Sequence, residues 1–252
     1  MDKTKLYFIS DAHLGLATKQ PSVVRERYLV DLLDRAKADA REIFLLGDIF
    51  DFWFEYKRVV PKGFTRLLGK IAELTDSGIP VHFFTGNHDI WAFDYLPAEI
   101  GVQIHRGPLV VERFGKRFYL AHGDGLGPGD KGYKLLKWVF TRKILQWLFA
   151  RLHPNLAMWF GQRWSYNSRY AKAIFNDFQG ENEDLYIYSN QILEHEHFDF
   201  FVYGHRHALA FMPLKDSSAT LVVLGDWIVN FTYGVFDGEK FEMKKYRLNE
   251  SI

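Results

Sequence analysis

The 252 residues include no cysteine. Disulfide scaffolds, thiolate zinc sites and cysteine nucleophiles are thereby excluded. No uncharged apolar run approaches the roughly 18 residues a membrane span needs. Repeats and low-complexity tracts are absent. Net charge is only +1, which removes any global case for nucleic acid. The N-terminus, MDKTKLYFIS, runs straight into a strand pattern, so no signal peptide is expected. What remains is the composition of a globular protein, 48% hydrophobic and 25% charged, with enough apolar residues for a sizeable core.

One absence is local. From Lys131 to Lys172 no acidic residue occurs, whereas Lys131, Lys134, Lys137, Arg142, Lys143, Arg151, Arg163, Arg169 and Lys172 do. The same stretch holds Trp138, Trp147, Trp159 and Trp164, four of the chain's seven tryptophans, and within it YKLLKWVFTRKILQWLFARL reads as a helix stopped before Pro154.

Outside it, short apolar runs alternate with helical patterns. KLYFIS, EIFLLGD, IPVHFFTGNHD and FDFFVYGHRH read as strands. SVVRERYLVDLLDRAKADA has helical spacing, with Ser22 placed to cap it. Pro61 is expected to open a second helix ending near Gly78. LVVERFGKRFYLAHGD reads as a hairpin turning near Gly115, and ATLVVLGDW and TYGVFDGEKFEMKKY as closing antiparallel strands. The expected class is α/β, partly parallel, in a single domain spanning 1–252 with a helical insertion at 130–180.

The strand ends share one chemistry. SDAH supplies Asp11 and His13, and LGDIFD supplies Asp48 and Asp51. TGNHD supplies Asn87, His88 and Asp89; LAHGD supplies His122 and Asp124; YGHRH supplies His205 and His207. Sites in open α/β sheets form outside the carboxyl ends of strands, so these side chains should ring one crevice. Residues two apart on a strand face the same way, so Asp11 with His13, and His205 with His207, can each grip from one side. Oxygen and imidazole donors without sulfur suit manganese, iron or zinc. Seven ligands exceed what one tetrahedral ion needs, and a carboxylate bridging two ions would use them all.

The series resembles the calcineurin-like metallophosphoesterases, whose blocks run D-x-H, G-D-x-x-D, G-N-H-[DE], a lone H, and G-H-x-H. That resemblance spans Asp11 to His207 and implies a β-sandwich flanked by helices. It implies one metal on Asp11, His13, Asp48 and His207. A second would lie on Asp48, Asn87, His122 and His205, with Asp48 bridging. Two divalent cations, manganese first and iron or zinc as alternatives, would generate a hydroxide for in-line attack on phosphorus. His88 would act at the leaving oxygen. Asp89 would orient its ring. Asp51 and Asp124 read as backing or turn residues.

The segment HGDGLGPGDKGYKLLKWVFTRKILQWLF further resembles the UDP-2,3-diacylglucosamine pyrophosphatases of lipid A biosynthesis. Asp130 and Tyr133 match that family's Asp-x-x-Tyr element, and LQWLF matches its helix. YNSRYAK is similar to its sugar-phosphate segment, which implies substrate contacts from Asn167, Ser168 and Lys172, with Asn87 and His205 beside the phosphate. Many members carry Arg where this chain has His88, and Glu where it has Asp51. The resemblance implies hydrolysis of UDP-2,3-diacylglucosamine to UMP and 2,3-diacylglucosamine 1-phosphate (lipid X). It also implies a lipid-nucleotide substrate, no nucleic-acid partner, and a peripheral place on the cytoplasmic face of an inner membrane. The basic, tryptophan-rich insertion suits a ligand both anionic and greasy, and it suits an anionic bilayer as well. The rivals are a phosphoesterase of another substrate class, such as a nuclease, and a non-catalytic scaffold on the same fold. A scaffold would be expected to have lost ligands, and none of the motif positions is missing here.

Overall fold

The computed structural model describes residues 3–129, 131–171, 178–215 and 217–246, and for 166–171 the backbone alone. In chain order the first elements are β1 (Lys5–Ile9), α1 (Ser22–Ala36), β2 (Ala40–Leu45), α2 (Thr65–Asp76), β3 (Val81–Phe84), α3 (Tyr95–Ile100) and β4 (Gln103–His105). β5 (Leu109–Arg113) and β6 (Lys116–Ala121) follow. Three helices come next: α4 (Lys131–Phe140), α5 (Lys143–Phe149) and α6 (Pro154–Ala171). α7 (Asp184–Leu193), β7 (Phe200–Tyr203), β8 (Leu209–Pro213), β9 (Thr220–Leu224), β10 (Thr232–Phe236) and β11 (Phe241–Lys245) complete the set.

Two sheets face each other. One runs β11-β10-β1-β2-β3-β4, the other β5-β6-β7-β9-β8. β1 to β4 are mutually parallel, and so are β6, β7 and β9. Apart from the edge strand β4, most of their residues are apolar and buried without alternation, because parallel strands are covered on both faces. On β1, Leu6 and Phe8 point between the sheets, where they meet Phe44, Phe84, Phe118, Val202 and Phe236. Tyr7 and Ile9 point the other way, under α1 and α2. Phe8 stacks on Phe44 at 5.1 Å, and truncating such a ring costs about 3–5 kcal/mol. α7 covers the far side of the second sheet through Leu185 and Tyr186.

Several expectations need correction. Ser22 opens α1 but does not cap it, because its hydroxyl accepts the Gly15 N–H at 2.7 Å. α2 begins at Thr65, four residues after Pro61. β9 is antiparallel only to β8 and runs parallel to β7. The stretch before Pro154 is not one helix. Thr141 Oγ1 donates to the Lys137 and Trp138 carbonyls, Arg142 is extended, and the chain restarts as α5. Such local back-bonding competes with helix continuation.

A candidate dinuclear metal site at the seam of two sheets

The parallel strands β1, β2, β3, β6, β7 and β9 end at one rim. Asp11 N–H donates to the Gly47 carbonyl (3.1 Å), and His13 N–H to that of Asp48 (2.9 Å), so the loops after β1 and β2 are laced together. The loop after β7 joins them, because His205 N–H donates to Asp11 Oδ2 at 2.8 Å. Gly86 lies against this lacing, where a Cβ would collide with the Asp48 carboxylate. Asp11, His13, Asp48, His205 and His207 all adopt positive φ, between 42° and 66°. Non-glycine residues enter that region at a cost, and such strain concentrates at functional sites.

These loops bring together groups that could hold a cation. Asp11, His13 and His207 place ligand atoms within 4.8 Å of one another, as do Asp48, His122 and His205, and His13, Asp51 and His88. Asp48 Oδ2 stands between the first two groups, 3.6 Å from His13 Nε2 and 3.3 Å from His122 Nε2. Asn87 Oδ1 lies 3.3 Å from the same His122 nitrogen. Asp11, His13, Asp48 and Asn87 follow strands of the first sheet, and His122, His205 and His207 follow strands of the second.

The residues fit a divalent cation pair. His122 Nδ1–H donates to the Leu46 carbonyl at 2.7 Å, which turns Nε2 toward Asp48 and Asn87. Asp11 Oδ1 is buried and has no hydrogen-bond donor among the described residues. Burial disfavours an ionised Asp11, yet His13 and His207 hold it down to about 2. Asp48 is likewise held well below the usual range, against burial, by His122, His88 and His13. Burial disfavours a charged His122, yet Asp48, Asp11 and Asp124 push it up to about 10. Burial lowers His205 to about 4, leaving a neutral imidazole suited to ligation. Buried ionised carboxylates among crowded imidazoles call for a compensating positive charge, which a proton on His122 or a bound cation can supply.

Asp89 does not hold the His88 ring. Its carboxylate accepts backbone N–H groups from Gly86 (2.7 Å), Ile49 (2.9 Å), Asp48 (3.3 Å) and Phe50 (3.4 Å). It therefore braces the Asp48 and Asn87 loops against each other. The His88 ring is held at Nδ1 by the Asp51 carbonyl (2.8 Å) and by Ser165 (3.1 Å). Asp51 also backs His13, with Oδ1 3.5 Å from Nδ1. Asp124 is more than a turn residue. It accepts from Tyr133 and, at 2.6 Å, from Lys137, fastening α4 to the end of β6. Asp130 and Lys172 lie outside the described residues, as do the side chains of Asn167 and Ser168.

Asp226 escaped the sequence reading. It follows β9, is fully buried, and caps the N–H groups of Ile228, Val229 and Asn230 through Oδ1. Its Oδ2 faces His207 Nδ1 at 3.6 Å, as carboxylates behind ligating histidines do. The signal was present in VVLGDW, which repeats the Gly-Asp exit of LLGDIF.

A cavity of about 780 Å³ opens above the site. Asp48, Asn87, His88, His205 and Arg206 form its polar end. Leu136, Val139, Phe140, Phe149, Phe160 and Trp164 of α4 to α6 form its apolar walls. Trp138 and Trp147 are not among the lining residues; they are more than half exposed, with Arg142 and Arg151 stacked on their rings.

A two-sheet α/β sandwich with this donor set at its strand ends is the architecture of a metal-dependent phosphoesterase. The chain belongs to the calcineurin-like phosphoesterase family, whose model matches residues 4–209. More particularly, it is 41% identical over 250 residues to the UDP-2,3-diacylglucosamine hydrolase of Porphyromonas gingivalis, covering 94% of this chain and 95% of that one. A protein of the same name from Aeromonas hydrophila is 29% identical over 226 residues, covering 87% and 89%. A solved archaeal phosphodiesterase aligns over 95% of this chain and 98% of its own at 14% identity and a TM-score of 0.47, too loose a likeness to add anything.

Proposed function

We propose that this chain hydrolyses the pyrophosphate of UDP-2,3-diacylglucosamine, giving UMP and 2,3-diacylglucosamine 1-phosphate. The observation that carries this reading is a cavity in which a metal-type donor set meets walls of Leu, Val, Phe and Trp. A charged head and greasy tails are thus accommodated together. Kinship to hydrolases of that name over nearly the whole chain supports the same substrate.

In this reading Asp11, His13, Asp48 and His207 hold one divalent cation, manganese first among the candidates. Asp48, Asn87, His122 and His205 hold the other. When bound, such a pair acidifies a water and offsets charge on the phosphate oxygens. His88, with Nδ1 turned to Asp51, presents Nε2 to the cavity and acts at the leaving oxygen. Asp89 acts indirectly, by holding the Asp48 and Asn87 loops in place. Tyr133, fastened to Asp124 with its ring 6.3 Å from that of His205, lines the wall beside the sugar phosphate. Asn167, Ser168, Asp130 and Lys172 are proposed to contact that group as well.

α4 to α6 form a cap within a single domain, and its outer face rests on the cytoplasmic side of an anionic inner membrane. Leu135, Trp138, Ile144, Trp147, Leu148 and Trp159 are exposed there beside Arg142 and Arg151. Aromatic and cationic side chains together suit a headgroup layer. Among the described residues no helix is long and apolar enough to cross a membrane.

The deciding assay compares UDP-diacylglucosamine with its deacylated form and with a single-stranded oligonucleotide. The reading requires the diacylated substrate to be favoured, and a preference for the oligonucleotide would replace it. Co-sedimentation with anionic vesicles, lost in Trp138→Ala/Trp147→Ala, tests the membrane face.

A further inference from the structure

Helix α6 of the cap reaches His88 through a hydroxyl. Ser165, on α6, is 2% exposed. Its Oγ lies 3.1 Å from His88 Nδ1 and 3.1 Å from Asp51 Oδ1. His88 Nδ1 is also 2.8 Å from the Asp51 carbonyl oxygen. A carbonyl only accepts, so Nδ1 carries a hydrogen. Ser165 Oγ can then only accept from Nδ1, and it gives its own hydrogen to the Asp51 carboxylate. That carboxylate stands 4.0 Å from Nδ1, beyond a direct hydrogen bond. The hydroxyl therefore links the two.

Both ends of the link are held. Asp51 N–H donates to the Leu14 carbonyl at 2.9 Å, in the loop after His13. One helical turn before Ser165 is Gly161, where a Cβ would collide with the ring of Phe52. Residues four apart share a helix face, so this face of α6 is seated directly on Asp51 and Phe52. A serine there could have faced solvent, but this one is buried against a candidate acid.

We propose that Ser165 is a positioning residue that sets the His88 imidazole for phosphoester cleavage. Docking of the cap then completes the catalytic constellation as well as walling the cavity. Nδ1 is fixed as the hydrogen-bearing nitrogen, and the ring, which lines the cavity, is held against rotation. The inference rests on the reading of His88 given above, but it does not depend on which phosphoester is the natural substrate.

The test uses the full chain loaded with Mn²⁺ and a soluble bis(nitrophenyl) phosphodiester, which has neither acyl chain nor nucleotide. Ser165→Ala should lower kcat about tenfold, the scale of one lost hydrogen bond, with KM and bound metal unchanged. Ser165→Thr, which keeps the hydroxyl, should recover most of that loss. In a His88→Ala background, Ser165→Ala should cost nothing more, because its effect passes through the missing ring. An unchanged kcat on the diester, with a raised KM for the lipid nucleotide, would make Ser165 a substrate contact and overturn the inference. So would a second full tenfold loss in the double variant. If His88→Ala alone keeps full turnover, the reading of His88 falls, and this inference with it.

Discussion

The Nε2 atoms of His13 and His207 stand 3.2 Å apart, both beside Asp11 Oδ1 at 3.6 and 3.5 Å. Two imidazole nitrogens and a buried carboxylate oxygen meet where a cation is the natural partner. Chelation should therefore abolish turnover and lower the thermal midpoint, and added Mn²⁺ should raise both. Ligands that bind only the folded state stabilise it by mass action. A midpoint indifferent to chelator and metal would count against the site.

Asp48→Asn should remove activity and at least one metal while the fold stays intact. Its Oδ2 stands 3.6 Å from His13 Nε2 and 3.3 Å from His122 Nε2, and the amide loses the charge that would join two cations. Metal analysis and circular dichroism check this. A variant holding two metals with more than a tenth of wild-type turnover would end the bridging assignment.

Asp226→Asn should weaken metal binding by roughly 10–100-fold, as loss of a carboxylate behind a ligating histidine does. The group affected is His207, at 3.6 Å from Oδ2. The turn at 228–230 can keep an oxygen acceptor in the variant. Unaltered affinity in a metal titration would leave Asp226 with a purely local role.

Leu136→Ala with Phe160→Ala should penalise the diacylated substrate far more than its deacylated form. Both side chains line the cavity and neither belongs to the buried core, so the variant should fold. Each methylene left unburied forfeits about 0.8 kcal/mol. Equal losses on the two substrates would place the acyl chains elsewhere.

Acid should loosen a contact far from the site. Glu42 accepts from both Nε and Nη2 of Arg113 and lies 3.2 Å from His82 Nε2, joining β2 and β3 to β5 across the sandwich. Burial would raise its carboxyl, but His82 and Arg113 hold it down to about 2. A lowered carboxylate contributes stability above its ordinary 4.5 and loses it as pH falls toward 2. Burial also lowers His105 to about 4, so stability already declines from its ordinary 6.5 downward. The stability gap between wild type and Glu42→Gln should be widest above pH 4.5 and close toward pH 2. Urea midpoints across that range test it, and a gap independent of pH would refute it.

The motif residues were legible because each follows an apolar run and repeats the same donor types. Most strands were legible too, since parallel strands buried on both faces announce themselves as unbroken apolar stretches, whereas their division into two sheets was implied only by the family resemblance. β4 and β8 were missed. β4 has only three residues, and β8 alternates in burial at an edge. The partnerships were not legible. That Asp89 braces backbone while Ser165 and Asp51 hold His88 depends on loops that meet only in three dimensions. The break at Thr141 was hidden because a threonine that ends a helix looks in sequence like one that continues it.

Neither of the two groups that meet at Asp48 can be assembled from one sheet, because Asp11, His13, Asp48 and Asn87 belong to one and His122, His205 and His207 to the other. A half-built molecule with either sheet formed alone would own carboxylates or imidazoles but no reaction centre. During refolding, turnover should therefore lag behind secondary structure and switch on only when the two halves dock. The enzyme in effect inspects its own assembly before it can touch a phosphoester.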